Sequence, residues 1–245
     1  MSLLKFMDES KYKLKLSIII PVYNEERTLR KLIDSVEAVD VPFKKEIILV
    51  DDGSKDKSTE ILNNYRDRHK VIFMNKNSGK GSAIRRGFKE ATGDMVVIQD
   101  ADLEYDPRDY AVLLKPILDG DADVVYGSRF VTPLPRRILY FSHYVANKTI
   151  TFLSNVFTGL NLSDMETGAK AFTGKAIKEI LPCLTAKRFG IEPEITAQIA
   201  KHKFRVYEVG VSYKGRTYNE GKKLNWKDGI AAIWHVIKFN VFTGK

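Results

Sequence analysis

The sequence has a single cysteine, Cys183, in 245 residues. One thiol excludes an intramolecular disulfide and a thiolate metal cage, and beside Pro182 in an apolar setting it is expected to be a buried packing residue. The four histidines are scattered without an HExxH pair, so no zinc site is indicated. No run of 18 apolar residues occurs, and the charged, mixed stretch before Leu16 lacks the apolar core of a secretory signal, so the chain is expected in the cytosol. Acids are missing from residues 129–160, which carry Arg129, Arg136, Arg137 and Lys148. Residues 200–245 hold ten Lys or Arg against three acids, so these two segments exceed the whole net charge of +9. The basicity is regional. It implies either a solvated basic face or a local anionic partner, such as phosphate groups, nucleic acid or an acidic membrane surface.

What is present builds an α/β domain. With 44% apolar residues the chain can bury one substantial core. Short apolar, β-branched runs at Leu16–Pro21, Glu46–Val50, Val71–Met74, Met95–Ile98 and Asp123–Tyr126 are expected as strands. Helical patterns lie between them at Glu25–Ala38, Ser58–Arg68, Ser78–Glu90 and Pro107–Leu118. This alternation predicts a mainly parallel sheet covered on both faces, with ligands bound beyond the carboxyl ends of the strands.

Polar clusters sit at those ends. The first strand runs into Pro21-Val22-Tyr23-Asn24-Glu25, the second into Asp51-Asp52-Gly53-Ser54 and the fourth into Asp100-Ala101-Asp102. In extended chain Asp100, Asp102 and Glu104 point to one side and would converge, which carboxylates tolerate around a cation; the alternative is a solvated acidic turn before Pro107. Asn77-Ser78-Gly79-Lys80-Gly81 opens the third helix, where backbone N–H groups and Lys80 are placed to meet an anion, or where Asn77 or Ser78 caps the helix. It is not a Walker A loop, since Met74 stands where the leading glycine belongs.

Taken in order, Pro-Val-Tyr-Asn-Glu (21–25), Asp-Asp-Gly-Ser (51–54), Asn-Ser-Gly-Lys-Gly (77–81) and Asp-Ala-Asp (100–102) resemble the signature of family-two glycosyltransferases with the GT-A fold. Gly127-Ser128-Arg129-Phe130, Asp164-Met165-Glu166-Thr167-Gly168, the segment 188–194, Gly215-Arg216 and Gly221-Lys222-Lys223 are similar to the polyprenyl- and dolichyl-phosphate mannose and glucose synthases. The resemblance implies an N-terminal extension over 1–14, a GT-A domain over 15–225 and a C-terminal amphipathic helix over 226–245. It further implies an inverting transfer of one sugar from a UDP- or GDP-sugar to a polyprenyl phosphate, assisted by Mg²⁺ or Mn²⁺. Pro21, Tyr23, Glu25 and Asp52 would hold the nucleoside, with Lys80 and Ala101 beside the nucleotide. Asp100 and Asp102, with Glu104 nearby, would bind the metal. Arg129, aided by Arg136 or Arg137, would meet the acceptor phosphate. Arg216 and Lys223 would close over the diphosphate, and Asp164 and Glu166 would lie near the acceptor. Glu104 departs from the glutamine common in mannose synthases and leaves the donor open.

Ile138–Leu160 and Ile230–Phe242 mix aromatic and apolar residues with Ser, Asn and Lys. They are too polar or too short to span a bilayer but suit helices lying at its surface, here the cytoplasmic face; packing on the domain or in a dimer contact is the alternative. Three rivals stand beside this reading. A glycosyltransferase with a hydroxyl acceptor fits the same donor motifs. A sugar nucleotidyltransferase would need a glycine-rich, Arg-containing loop after the first strand, which is lacking. Nucleic-acid binding is disfavoured because the basic segments adjoin aromatic apolar ones and the acidic strand ends repel phosphates. The oligomeric state stays open.

Overall fold

The computed structural model describes residues 13–131, 137–138, 140–217 and 226–242. Arg136, Lys223 and most of the N-terminal extension, residues 1–12, lie outside the described residues. The five apolar runs are strands β1 (Lys15–Val22), β2 (Lys44–Asp51), β3 (Lys70–Phe73), β4 (Met95–Ile98) and β5 (Val124–Ser128). Two more, β6 (Lys170–Thr173) and β7 (Val206–Gly210), complete a seven-stranded sheet in the order β3-β2-β1-β4-β6-β5-β7. All neighbours pair in parallel except at β6, which runs antiparallel to both β4 and β5. At the centre Ile18 sits between Ile47 and Val97, and each of these side chains is buried.

The helices are α1 (Leu29–Ala38), α2 (Ser58–Asn63), α3 (Lys80–Glu90), α4 (Tyr110–Leu118), α5 (Phe141–Thr158), α6 (Gly174–Ile180), α7 (Ile191–Lys201) and α8 (Trp226–Ile237), the last continued by a π turn over Lys238–Phe242. Leu29, Leu32, Ile33 and Val36 recur at helical spacing, and this stripe seats α1 on one sheet face beside Leu113 and Leu114 of α4. Each such burial contributes about 2 kcal/mol. The opposite face takes Ala83, Ile84 and Phe88 of α3 with Ile177, Ile191, Ile195 and Val236. α1 starts later than its pattern suggests because residues 25–28 form a turn, closed by Leu29 N–H donating to the Glu25 carbonyl at 2.9 Å.

α5, α7 and α8 pack on one another at the edge of this second layer. Their outer faces expose Phe141 (79%), Phe152 (67%), Val156 and Trp234. Among the described residues no helix is long and apolar enough to cross a membrane. Cys183, expected to be buried, is exposed in a short 3-10 turn after α6, because the turn carries Pro182 and Cys183 away from the core while Leu184 packs inward.

Candidate active site

The carboxyl ends of β1, β2 and β4 open into one cavity of about 1040 Å³. Its wall takes Pro21, Tyr23, Glu25, Asp52, Lys80, Asp100, Ala101, Asp102 and Glu104 from the strand ends and the turns after them, Arg129 and Glu166, and residues of α5 and α8 that include Asn147, Ile150, Ile230 and Ile233. The predicted strand-end residues therefore share a single site.

The expected convergence of Asp100, Asp102 and Glu104 does not occur. After β4 the chain turns, and Leu103 takes a left-handed φ of 62°, so the alternation of an extended strand is lost. Asp100 turns to Lys80, whose Nζ lies 2.8 Å from Oδ1 and 3.0 Å from Oδ2. Asp102 and Glu104 turn to Arg216 instead. The Arg216 guanidinium donates to Asp102 Oδ2 at 3.2 Å and to both Glu25 oxygens at 3.2 and 3.3 Å, and its Nε lies 3.6 Å from Glu104 Oε1. Glu104 also accepts from Arg216 N at 2.7 Å and from the Tyr213 hydroxyl at 2.7 Å. Among the described residues no three His, Cys, Asp or Glu side chains form a ready cation cage. The donor set nevertheless suits a hard divalent ion, because it is all carboxylate oxygen and Glu25, Asp100, Asp102 and Glu104 share only the charges of Lys80 and Arg216. Burial, then the charges of Asp100 and Glu104, push the Asp102 carboxyl up to about 7.

Neither Asn77 nor Ser78 caps α3, whose N-cap residue is Gly79 with no side-chain cap bond. Asp52, just after β2, instead accepts from Ser78 N and Gly79 N, each at 2.7 Å, so it holds the loop that enters the helix and those two N–H groups do not face an open anion site. Burial raises the Asp52 pKa against the pull of those two donors. Gly79 has a φ of 96°, and a Cβ there would strike Lys187 and Arg188, so the turn requires glycine. Lys80 is charged, since Asp100 and Glu192 outweigh the burial that would lower its pKa.

Arg129 lines the cavity, but Asp164 stands behind it rather than beside a ligand. Asp164 is 0% exposed and accepts from Arg129 Nε at 2.7 Å, from a terminal guanidinium nitrogen at 2.6 Å and from Arg129 N at 3.0 Å. Burial would raise the Asp164 pKa, but the Arg129 charge and these bonds hold it below the usual value. Asp164 is thus a positioning residue for Arg129. Glu166 does face the cavity. Its Oε1 has no hydrogen-bond partner, and burial, then the charge of Glu192, raises its pKa to about 7. Arg137 is not in the cavity wall; its guanidinium donates to Gly215 O at 3.0 Å. In the acid-free segment Lys148 is not a loose surface charge either, as it donates to Ser163 O at 2.9 Å and lies over the Phe130 ring.

Residues 17–181 match the family model for glycosyl transferase family 2. The chain belongs to this family. Over 90% of its length it is 28% identical to UDP-N-acetylglucosamine–dolichyl-phosphate N-acetylglucosaminyltransferase of Methanococcus voltae, covering 94% of that protein. It is 31% identical to dolichyl-phosphate beta-glucosyltransferase ALG5A of Trichomonas vaginalis, over 93% of this chain and 73% of that one. The fold is that of glucosyl-3-phosphoglycerate synthase from Mycobacterium tuberculosis, solved with Mn²⁺, uridine diphosphate and phosphoglyceric acid. The TM-score is 0.73 at 19% identity, over 96% of this chain and 82% of that one. The chain is a glycosyltransferase of the GT-A fold.

The glycosyltransferase site also contains residues the motifs did not single out for a role. Lys170, 0% exposed on β6, is bonded to Glu192 of α7 and to Thr167 O, and Glu192 lies 3.4 Å from Lys80. This buried chain of charges ties β6 and α7 to Asp100. Arg188 and Tyr213 complete the cavity wall. Gly168 lies against the Asp100 carboxylate, where a Cβ would collide with Oδ2. Glu192, Arg188 and Gly168 stood inside the quoted motifs, and the signal for Lys170 was a lone lysine in a short β-prone stretch.

Proposed function

We propose that this glycosyltransferase moves one sugar from a UDP- or GDP-sugar to a polyprenyl phosphate at a membrane surface, with inversion at the anomeric carbon. One observation carries the reading: a single cavity is lined both by the carboxylates at the strand ends with Arg129 and by α5 and α8, where α8 contributes the small and apolar Gly229, Ile230, Ala232 and Ile233. The α8 wall suits a prenyl chain, the Ser142, His143, Asn147 and Thr149 side chains of α5 suit its polar head, and the exposed Phe141 and Phe152 of α5 and Trp234 of α8 suit insertion among lipid headgroups at the cytoplasmic face. The relatives named for dolichyl-phosphate acceptors support the same class.

Tyr23, Glu25 and Asp52 would hold the nucleoside, with Pro21 and Ala101, which also line the cavity, shaping the wall. Asp100 and Asp102 would hold Mg²⁺ or Mn²⁺, which as a Lewis acid would neutralise the leaving diphosphate. Arg129, fixed by Asp164, orients the acceptor phosphate. A phosphate monoester has a second pKa near about 6, so its oxygen is already anionic at neutral pH and needs no general base. That oxygen bonds to the anomeric carbon as the bond to the diphosphate breaks, and the nucleoside diphosphate leaves.

A second reading is favoured by Glu166, whose unpartnered oxygen and pKa of about 7 suit a base for a hydroxyl acceptor. Assays of nucleotide sugars with polyprenyl phosphate, polyprenol and a soluble glycan, each with Mn²⁺ or excess chelator, separate the two. Transfer to the phosphate is expected, lost in chelator and slowed by a barrier about 3 kcal/mol higher in Arg129→Ala that circular dichroism shows to be folded. Transfer to a hydroxyl alone, abolished in Glu166→Gln while Arg129→Ala stays active, refutes the phosphate acceptor.

A further inference from the structure

We infer, resting on the metal-dependent reading above, that Arg216 is a built-in counter-ion of the metal site, which a divalent cation must displace. Every carboxylate expected near the metal has a partner. Asp102 Oδ2 takes Arg216 at 3.2 Å and Oδ1 takes Glu104 N at 3.0 Å. Glu104 is held by Arg216 and Tyr213, Glu25 by Arg216 and Thr28, and Asp100 by Lys80.

Arg216 is the one cation that spans Glu25, Asp102 and Glu104 among the described residues. A divalent ion on Asp102 would face its guanidinium at close range, where two positive charges repel and the partly buried setting screens little. A diphosphate supplies what Arg216 then needs, an anion that accepts a bidentate guanidinium. The two exchanges are therefore coupled: Arg216 leaves the carboxylates for the diphosphate as the metal enters. By linkage, nucleoside diphosphate tightens metal binding and metal tightens nucleotide binding by the same factor. The free protein binds metal poorly, which keeps the site unloaded until donor arrives.

The test is Mn²⁺ binding to the full chain, read from the electron paramagnetic resonance signal of free Mn²⁺, with and without UDP or GDP. Arg216→Gln is expected to bind Mn²⁺ alone about tenfold more tightly than wild type, within the usual range of such couplings, and to gain less from nucleotide. Arg216→Lys should fall between them, because a single ammonium does not span three carboxylates. It reads the same contrast if Arg216→Gln melts early in circular dichroism. A folded Arg216 variant that binds Mn²⁺ alone no more tightly than wild type, while wild type binds it with nucleotide, overturns this coupling and leaves the metal assignment standing. Failure of wild type and variants to bind Mn²⁺ in any condition overturns both.

Discussion

Asp164→Asn is expected to destabilise the fold by about 3–5 kcal/mol at neutral pH, as breaking a buried ion pair does. The substitution leaves the Arg129 guanidinium beside a neutral amide in a position where Asp164 is completely buried and accepts four hydrogen bonds, three from Arg129 and one from Asn147 Nδ2 at 3.1 Å. For a chain of this size each kcal/mol moves Tm by roughly 2–4 °C, so a fall of about 10 °C is expected. The pH dependence has a definite sign. The folded pKa of Asp164 is depressed, so its contribution is present above the unfolded value near about 4 and is lost as pH falls through the folded value. Wild type and Asp164→Asn should therefore converge in acid. Thermal melts across pH measure both effects, and the double change Arg129→Met with Asp164→Leu should recover stability without recovering transfer, since no charge is left buried and unpaired. A wild-type advantage below about 1 kcal/mol at pH 7, the scale of an ordinary substitution, or one that grows towards acid, refutes the reasoning.

Glu166→Gln should have the opposite pH signature. Its folded pKa of about 7 lies above the ordinary 4.5, so ionisation opposes folding as pH rises between those values. The variant should match wild type near pH 4 and exceed it by about 3 kcal/mol above pH 8 in denaturant titrations, and equal stability at both pH values would show that Glu166 is not desolvated. Flotation with anionic vesicles should carry the wild-type chain, and Phe141→Glu with Phe152→Glu should abolish it, because both side chains are largely exposed on α5. Binding unaffected by the two substitutions would move the contact away from that face.

The first five strands were legible because each is an apolar run bounded by polar turn residues, and Met95–Ile98 matches β4 residue for residue. β6 was not, because Lys-Ala-Phe-Thr is only four residues long and begins with a lysine, which counts against a central strand. Only the structure shows the compensation, Glu192 from α7 bonded to that lysine. α7 escaped for a related reason. Ile191 through Ile199 are buried on every side, including Glu192 and Glu194, so no polar face marks the helical period. Glu194 is accommodated by accepting from the Thr185 and Ala186 backbone N–H groups, a pairing local in space but nine and eight residues away in sequence.

The site followed the same division. Which residues gather at the strand ends was readable from motif order, since a parallel sheet delivers all its carboxyl ends to one edge. Which of them face one another was not. The alternation argument for Asp100, Asp102 and Glu104 assumed an extended chain, but the chain turns at residues 101–102 and is left-handed at Leu103, so Asp100 meets Lys80 while Asp102 and Glu104 meet Arg216. Arg216 lies 114 residues from Asp102, and Asp164 lies 35 from Arg129, so no local pattern announces either contact. Yet both follow one physical demand: an acid buried beside other acids must find a cation or lose its charge. Asp164 meets it in full, accepting three hydrogen bonds from Arg129 alone. Asp102 meets it only in part, because it shares the one Arg216 guanidinium with Glu25 and Glu104, and an acid that shares its cation is suited to exchange it for a more highly charged one.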